Sequence, residues 1–424
     1  MANTLPKHYE TKLDNGLRVV AIPMSNNSGV VATNIFYDVG SRDEMMGKSG
    51  IAHMLEHMNF KSTKNLAEGE FDEVVKRHGG VNNASTGFDY THYFIQSATR
   101  NMDKSLELFA ELMENLNLTD EEFQKERDVV AEERRWRTDN NPIGYLYFRL
   151  FNTHYTAHSY HWTPIGFMND IQNWSIKDIR AFHQRTYRPD NAIIVVAGDV
   201  KPDDVFESTD GYFSHIKPPQ RDECAPLLTH IPVEPAYDGS RRVIISRDNN
   251  HTDNLAIVYS IPDFRHEDQV ALSVISEILS SGKSSRLQEE LIQKRSLAHQ
   301  VYGYNMELKD PGVFLFIAMG NPDTTAEDME SVILEQIQKL KSELISSKEL
   351  EKVKINTKRE FVHILESSSS LADTFGSYLI RGDIEPLLRY EANLDKITPE
   401  TICDVANRYF VDNTVTTVIL RKNG

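Results

Sequence analysis

Two corners of the chain, 222 positions apart, share residues at matching places. Tyr187-Arg188-Pro189-Asp190-Asn191 precedes the apolar run Ala192 to Gly198, and Tyr409-Phe410-Val411-Asp412-Asn413 precedes the run that ends the chain. In 424 residues that offset is close to half the length. It constrains the chain to a duplicated domain of about 200 residues rather than one continuous core. The opening reads as a hairpin, with Asn15-Gly16 as a type I′ turn between Tyr9 to Leu13 and Leu17 to Ile22. A third strand follows at Val30 to Tyr37, and similar elements recur after residue 240. Alternating helices and strands alone also fit a parallel α/β fold. The hairpin start and consecutive strands instead predict α+β, each domain a mixed, mainly antiparallel sheet covered by helices. Pro218, Pro219, Pro226, Pro232 and Pro235 mark 216–236 as the linker between domains at 1–215 and 237–424.

Charge and composition narrow the function. Lys and Arg total 46 against 63 Asp and Glu, a net charge of −17. That argues against nucleic acid as a partner and against docking on anionic lipid. No apolar run is long enough to span a membrane. The polar start, Met1 to Glu10, lacks the basic-then-apolar pattern of an export signal, so a cytoplasmic location is expected unless a targeting segment was removed. Two cysteines, Cys224 and Cys403, supply neither a disulfide framework nor a thiolate zinc cage.

The chemistry concentrates in His53-Met54-Leu55-Glu56-His57. On a helix, at about 100° per residue, Ile51, Met54, Leu55 and Met58 form one tight apolar face, and His53, Glu56 and His57 fall on the other. Histidines at i and i+4 can ligate one ion, and Zn²⁺ suits imidazole and carboxylate donors. Glu56 then stands where a general base to a metal-activated water is needed. A third protein ligand is required for a zinc site with an open position. On the helix after Asp120, with Phe123 at 0°, the order is Val130 at about 340°, Glu126 at about 300°, Glu133 at about 280°, Val129 at about 240° and Trp136 at about 220°. Both carboxylates thus fall inside an apolar arc, with Trp136 and Tyr145 expected in the core. Buried carboxylates are costly unless paired or bound to metal. One serves as ligand and the other as acceptor for an imidazole N–H, the helix alone leaving open which.

HisXXGluHis is the inverted zincin motif, and its surroundings resemble the pitrilysin-type zinc peptidases, family M16. This group includes the insulin-degrading enzyme, pitrilysin, the mitochondrial processing peptidase and short bacterial relatives. The resemblance rests on Gly40-Ser41-Arg42-Asp43-Glu44 before the motif and Met58-Asn59-Phe60-Lys61-Ser62-Thr63 after it. It extends to Gly79 through Thr86, Asp89-Tyr90-Thr91-His92-Tyr93 and the Tyr187 corner. It implies that Glu133, 76 positions after His57, is the third ligand and that Glu126, seven earlier, supports the site. It further implies one zinc per chain, held by the N-terminal domain, and a C-terminal domain without a zinc site. Paired subunits would enclose a chamber that admits peptides or unfolded segments. Asn83 and Ala84 are expected to hold the substrate backbone as an added strand.

One departure concerns the second half. Active relatives carry an Arg and a Tyr, seven apart, that stabilise the oxyanion. The matching positions here are Ile292 and His299. Arg295 and Tyr302 have the spacing but require a three-residue shift against Leu287, Leu291 and Leu297. The expected assembly is therefore a heterodimer in which a homologous subunit supplies the Arg/Tyr pair, with a homodimer as the alternative. A noncatalytic assembly subunit of the same fold is the competing function.

Overall fold

A computed structural model describes residues 5–24, 27–218 and 231–422. Its strands are β1 (Tyr9–Lys12), β2 (Arg18–Pro23), β3 (Val30–Tyr37), β4 (Val81–Thr86), β5 (Thr91–Ala98), β6 (Ala192–Gly198), β7 (Arg241–Ser246), β8 (Asn254–Ser260), β9 (Ala298–Met306), β10 (Val313–Gly320) and β11 (Thr416–Arg421). They form two sheets, ordered β1-β2-β6-β3-β5-β4 and β7-β11-β8-β10-β9. Leaving out β1, the two orders have the same connectivity. In each sheet the strand that follows the shared corner runs parallel to one neighbour, β6 to β2 and β11 to β7, and the remaining pairs are antiparallel. The fold is α+β with two mixed, mainly antiparallel sheets, and its repeat is the one the two corners indicate.

Five helices of the first half matter for the site: α1 (Ile51–Met58), α2 (Glu70–Arg77), α3 (Met102–Asn115), α4 (Asp120–Arg134) and α5 (Pro142–His154). Alternation along β3 sorts the core. Val31, Ile35 and Tyr37 join the apolar faces of α1 and α3. Phe36 points the other way, under helix Ser368–Arg381, where a Cβ on Gly376 would lie 2.1 Å from its ring. The second sheet repeats the scheme. Leu255, Ile257 and Tyr259 of β8 face one core, and Ser260 meets the His154 imidazole of α5 at 3.1 Å.

The compact units are consequently not the contiguous stretches 1–215 and 237–424. One unit is Met1–Glu132, Trp162–Ile231 and Val362–Leu387; the other is Glu133–His161, Pro232–Phe361 and Leu388–Gly424. The strands respect the expected division, but the sheet from each half takes one helix from the other half's sequence. Of the expected linker, 219–230 lie outside the described residues. No described helix is long and apolar enough to cross a membrane.

Candidate active site

The motif helix is built to be held at its start. Gly50 caps α1 with φ 84°, and a Cβ there would sit 2.7 Å from the Ile165 carbonyl oxygen, so glycine is required on both counts. Orphan N–H groups of the first turn go to Glu44: Gly50 N–H and Ala52 N–H donate to its two carboxylate oxygens, each at 2.8 Å. Burial pushes the Glu44 carboxyl well above the usual carboxylate range, against the pull of those backbone hydrogen bonds. Ser49 donates through its backbone N–H and hydroxyl to Asp170 Oδ2, at 3.0 and 2.6 Å. Ile51, Met54, Leu55 and Met58 are buried, as the periodicity requires. His53 and His57 stand together on the other face with ring centroids 4.7 Å apart.

Helix α4 brings both carboxylates. The Glu126 carboxylate is buried, with Oε1 2.8 Å from His57 Nδ1 and Oε2 2.6 Å from Lys61 Nζ. Burial pushes its pKa up, but the hydrogen bonds from His57 and Lys61 outweigh that and hold the group below its ordinary value. An ionised Glu126 only accepts, so His57 Nδ1 carries the proton and Nε2 is left as the donor atom. Glu133 lies two turns on, in an ion pair with Arg137 at 3.0 Å. The unit boundary falls inside α4, between Glu132 and Glu133, so Glu133 rides on a helix whose body belongs to the first unit. One donor atom each from His53, His57 and Glu133 lie within 4.8 Å of one another. No other trio of His, Cys, Asp or Glu does so among the described residues. Two imidazoles and one carboxylate, with a carboxylate orienting one imidazole from behind, is a donor set that fits zinc with a position left open.

Glu56 projects beside this trio and accepts a hydrogen bond from Thr86 Oγ1 at 2.5 Å. Thr86 ends β4, which carries Asn83 and Ala84 and is the outer strand of its sheet. Val81–Thr86 form a six-residue strand, paired with β5 from Val81↔Gln96 to Thr86↔Thr91. Asn83 is exposed and its Oδ1 accepts from Ala84 N–H at 2.9 Å. Residues 81–86 alternate exposed and half-buried, so the strand presents an edge able to accept another strand.

In the second unit, Ile292 packs on the core within a π-helical turn, Gln288–Lys294, and offers no hydrogen-bond donor from its side chain. His299 is exposed on β9, the outer strand of the second sheet. Arg295 is engaged by Glu290 and Glu335, at 3.2 and 2.8 Å. Sequence reasoning missed the roles of Glu44, Lys61 and Thr86, which differ from ordinary polar residues only in where the fold places them. It also misplaced Trp136, which is 73% exposed rather than in the core.

Comparison with known proteins accords with this geometry. A family model described as "Insulinase (Peptidase family M16)" matches residues 19–158, and one described as "Peptidase M16 inactive domain" matches 173–357. Zinc protease PqqE of Helicobacter pylori is 53% identical over 417 residues, 98% of this chain and 93% of that protein. The probable mitochondrial-processing peptidase subunit beta of Arabidopsis thaliana is 26% identical over 97% of this chain and 77% of its own length. The crystal structure of a protease from Helicobacter pylori superposes with a TM-score of 0.96 at 52% identity, covering 98% of this chain and all of that one. The chain belongs to peptidase family M16.

The grip on α1 is testable. Glu44→Gln keeps the size but turns an amide N–H₂ toward a backbone N–H, leaving one buried donor unmet at a cost of about 1–3 kcal/mol. The expected outcome is a lower denaturation midpoint together with weaker zinc binding by the donor trio in a chelator competition. No change in either would contradict this role for Glu44.

Proposed function

We propose that the chain is a zinc-dependent endopeptidase that cleaves peptides or unfolded segments in a closed chamber, as the zinc-bearing member of a subunit pair. One observation carries the reading: three donor atoms meet within 4.8 Å beside a glutamate that a strand-end threonine holds in place. His53, His57 and Glu133 would hold the zinc, with Glu126 orienting His57. When bound, zinc supplies Lewis-acid polarisation of the scissile carbonyl and acidifies the attacking water. Glu56 takes the proton of that water and delivers it to the leaving amine. Thr86 fixes the Glu56 carboxylate for both transfers. Asn83 and Ala84 hold the substrate backbone along the outer edge of β4, which gives affinity with little demand on side chains.

The match to an "inactive domain" model favours a second reading, a noncatalytic assembly subunit. That match spans 173–357 and does not include the motif, which falls within the insulinase match at 19–158. It covers the end of the first half and most of the second, leaves the motif outside, and is compatible with a catalytic first half.

Chelation should abolish peptide hydrolysis and zinc should restore it. Glu56→Gln should keep its zinc and lose about 10²–10⁴-fold in rate. Glu133→Gln should lose metal outright, and Glu126→Gln should bind it about 10–100-fold more weakly. Equal zinc affinity in wild type and Glu133→Gln, measured by competition with a chelator, would move the third ligand elsewhere.

The pairing follows from the second half. With Ile292 packed against the core and Arg295 tied to two glutamates, this chain has no oxyanion donor pair at the expected places. Losing such a donor costs about 2.7–4 kcal/mol. Little peptidase activity is therefore expected from the chain alone, and strong activation from a homologous subunit with an intact Arg/Tyr pair. High turnover by the pure chain that survives Arg295→Ala combined with His299→Ala would rule out this division of labour.

A further inference from the structure

The exposed tryptophan three residues past Glu133 has no role in the scheme above. Around α4 the side chains change character in a fixed order. Phe123 and Val130 lie in the core and Glu126 is buried against His57. Glu133 comes next, in the donor trio. Past it, in the same rotational sense, come Val129 at 51% exposed and Trp136 at 73%. The other exposed positions of α4, Asp120, Glu121, Gln124, Lys125, Asp128 and Glu132, are polar. Two open apolar side chains thus flank Glu133, four residues before it and three after it, on the uncovered side of that helix.

Trp136 is not on a frayed end. It lies in the π-helical turn Arg135–Asp139 that continues α4, and Asn140 N–H bonds the Arg135 carbonyl at 2.7 Å to close it. Single π turns inside helices recur at functional sites. This one is fixed from behind. The buried Arg134 guanidinium sits 4.0 Å over the Phe148 ring and bonds Asp139 Oδ1 at 3.2 Å. The Asn141 side chain caps α5 by accepting from Ile143 and Gly144 N–H. A Cβ on Gly144 would lie 1.9 Å from the Arg137 carbonyl oxygen, so only glycine lets α5 close on the turn. A rigid turn therefore displays an indole one helical turn beyond Glu133.

We infer that Trp136, with Val129, is a specificity-determining surface that receives a bulky apolar side chain of the peptide close to the scissile bond. The inference rests on the proposed peptidase reading and adds its side-chain preference. Backbone capture along β4 is indifferent to side chains, so selectivity has to come from surfaces of this kind. An aromatic face three residues past Glu133 gains most from an aromatic or large aliphatic residue, by offset stacking and by removing apolar area from water.

The tryptophans make this readable without turnover. Trp162 and Trp174 are each 3% exposed, so emission quenched by acrylamide reports Trp136. The catalytically impaired Glu56→Gln protein is titrated with two peptides that differ only in one residue, Phe or Ser. The Phe peptide should shield the emission from acrylamide at least about twofold, and the Ser peptide should not. Shielding by neither, by both equally, or only as protein concentration rises would overturn the inference, the last assigning this face to subunit contact. With wild type paired with a homologous subunit that carries an intact Arg/Tyr pair, a mixed peptide library gives the second readout. Trp136→Ala should lose on the order of 10-fold or more in kcat/KM for products with a bulky apolar residue beside the cut. It should leave zinc content and cleavage beside small residues unchanged, and Trp136→Phe should restore most of the loss. Unchanged preference in an active Trp136→Ala enzyme overturns this inference alone, whereas absence of hydrolysis by zinc-loaded wild type assayed together with a homologous subunit that carries an intact Arg/Tyr pair overturns the peptidase reading.

Discussion

A buried carboxylate on one helix, answered by an imidazole and an ammonium from the chain around another, sets the geometry of this site. Glu126 could not be buried unpaired, since an isolated carboxylate out of water costs several kcal/mol. His57 Nδ1 at 2.8 Å and Lys61 Nζ at 2.6 Å supply the compensation. Their combined effect exceeds the desolvation, because the carboxyl is held below its ordinary range despite burial. Docking Glu126 fixes the rotation of α4 against α1. That rotation brings Glu133, seven residues on, up to the two histidines. It also fixes which nitrogen of His57 is protonated. Register, tautomer and donor set follow from one polar contact.

The other constraint is the hold on α1 from its N-terminal side. Gly50, Glu44 and the Ser49–Asp170 contacts place the helix start, while Met54, Leu55 and Met58 seat its apolar face. Glu56 is then positioned twice, by its helix and by Thr86 from the outer strand of the sheet. Glu56 and the outer edge of β4 therefore belong to one packed element pair, α1 and β4, as the proposed proton transfer would require.

How far the sequence could be read varied with the range of the interactions involved. The α1 stripe and the recurring corner depend on local periodicity, and both were legible. The placing of Glu126 and Glu133 together was legible as an apolar arc, although which one joins the two histidines came from resemblance. Residues 81–86 were not legible as a strand, because Asn82 and Asn83 have weak strand preference and only the register with β5 makes the segment one. Trp136 was misplaced for a related reason: periodicity shows that a stripe is apolar but not whether anything covers it. The exchanged helices, α5 on the second sheet and Ser368–Arg381 on the first, depend on tertiary packing alone and leave no sign in a linear reading.

Anomalous diffraction at the zinc edge from zinc-loaded crystals tests the central claim most directly. The account predicts one peak, at about 2.0–2.2 Å from His53, His57 and Glu133, with Glu126 outside bonding distance and one position free of protein ligands. A peak bound by Glu126 instead of Glu133, a fourth protein ligand, or a peak elsewhere in the chain would contradict it.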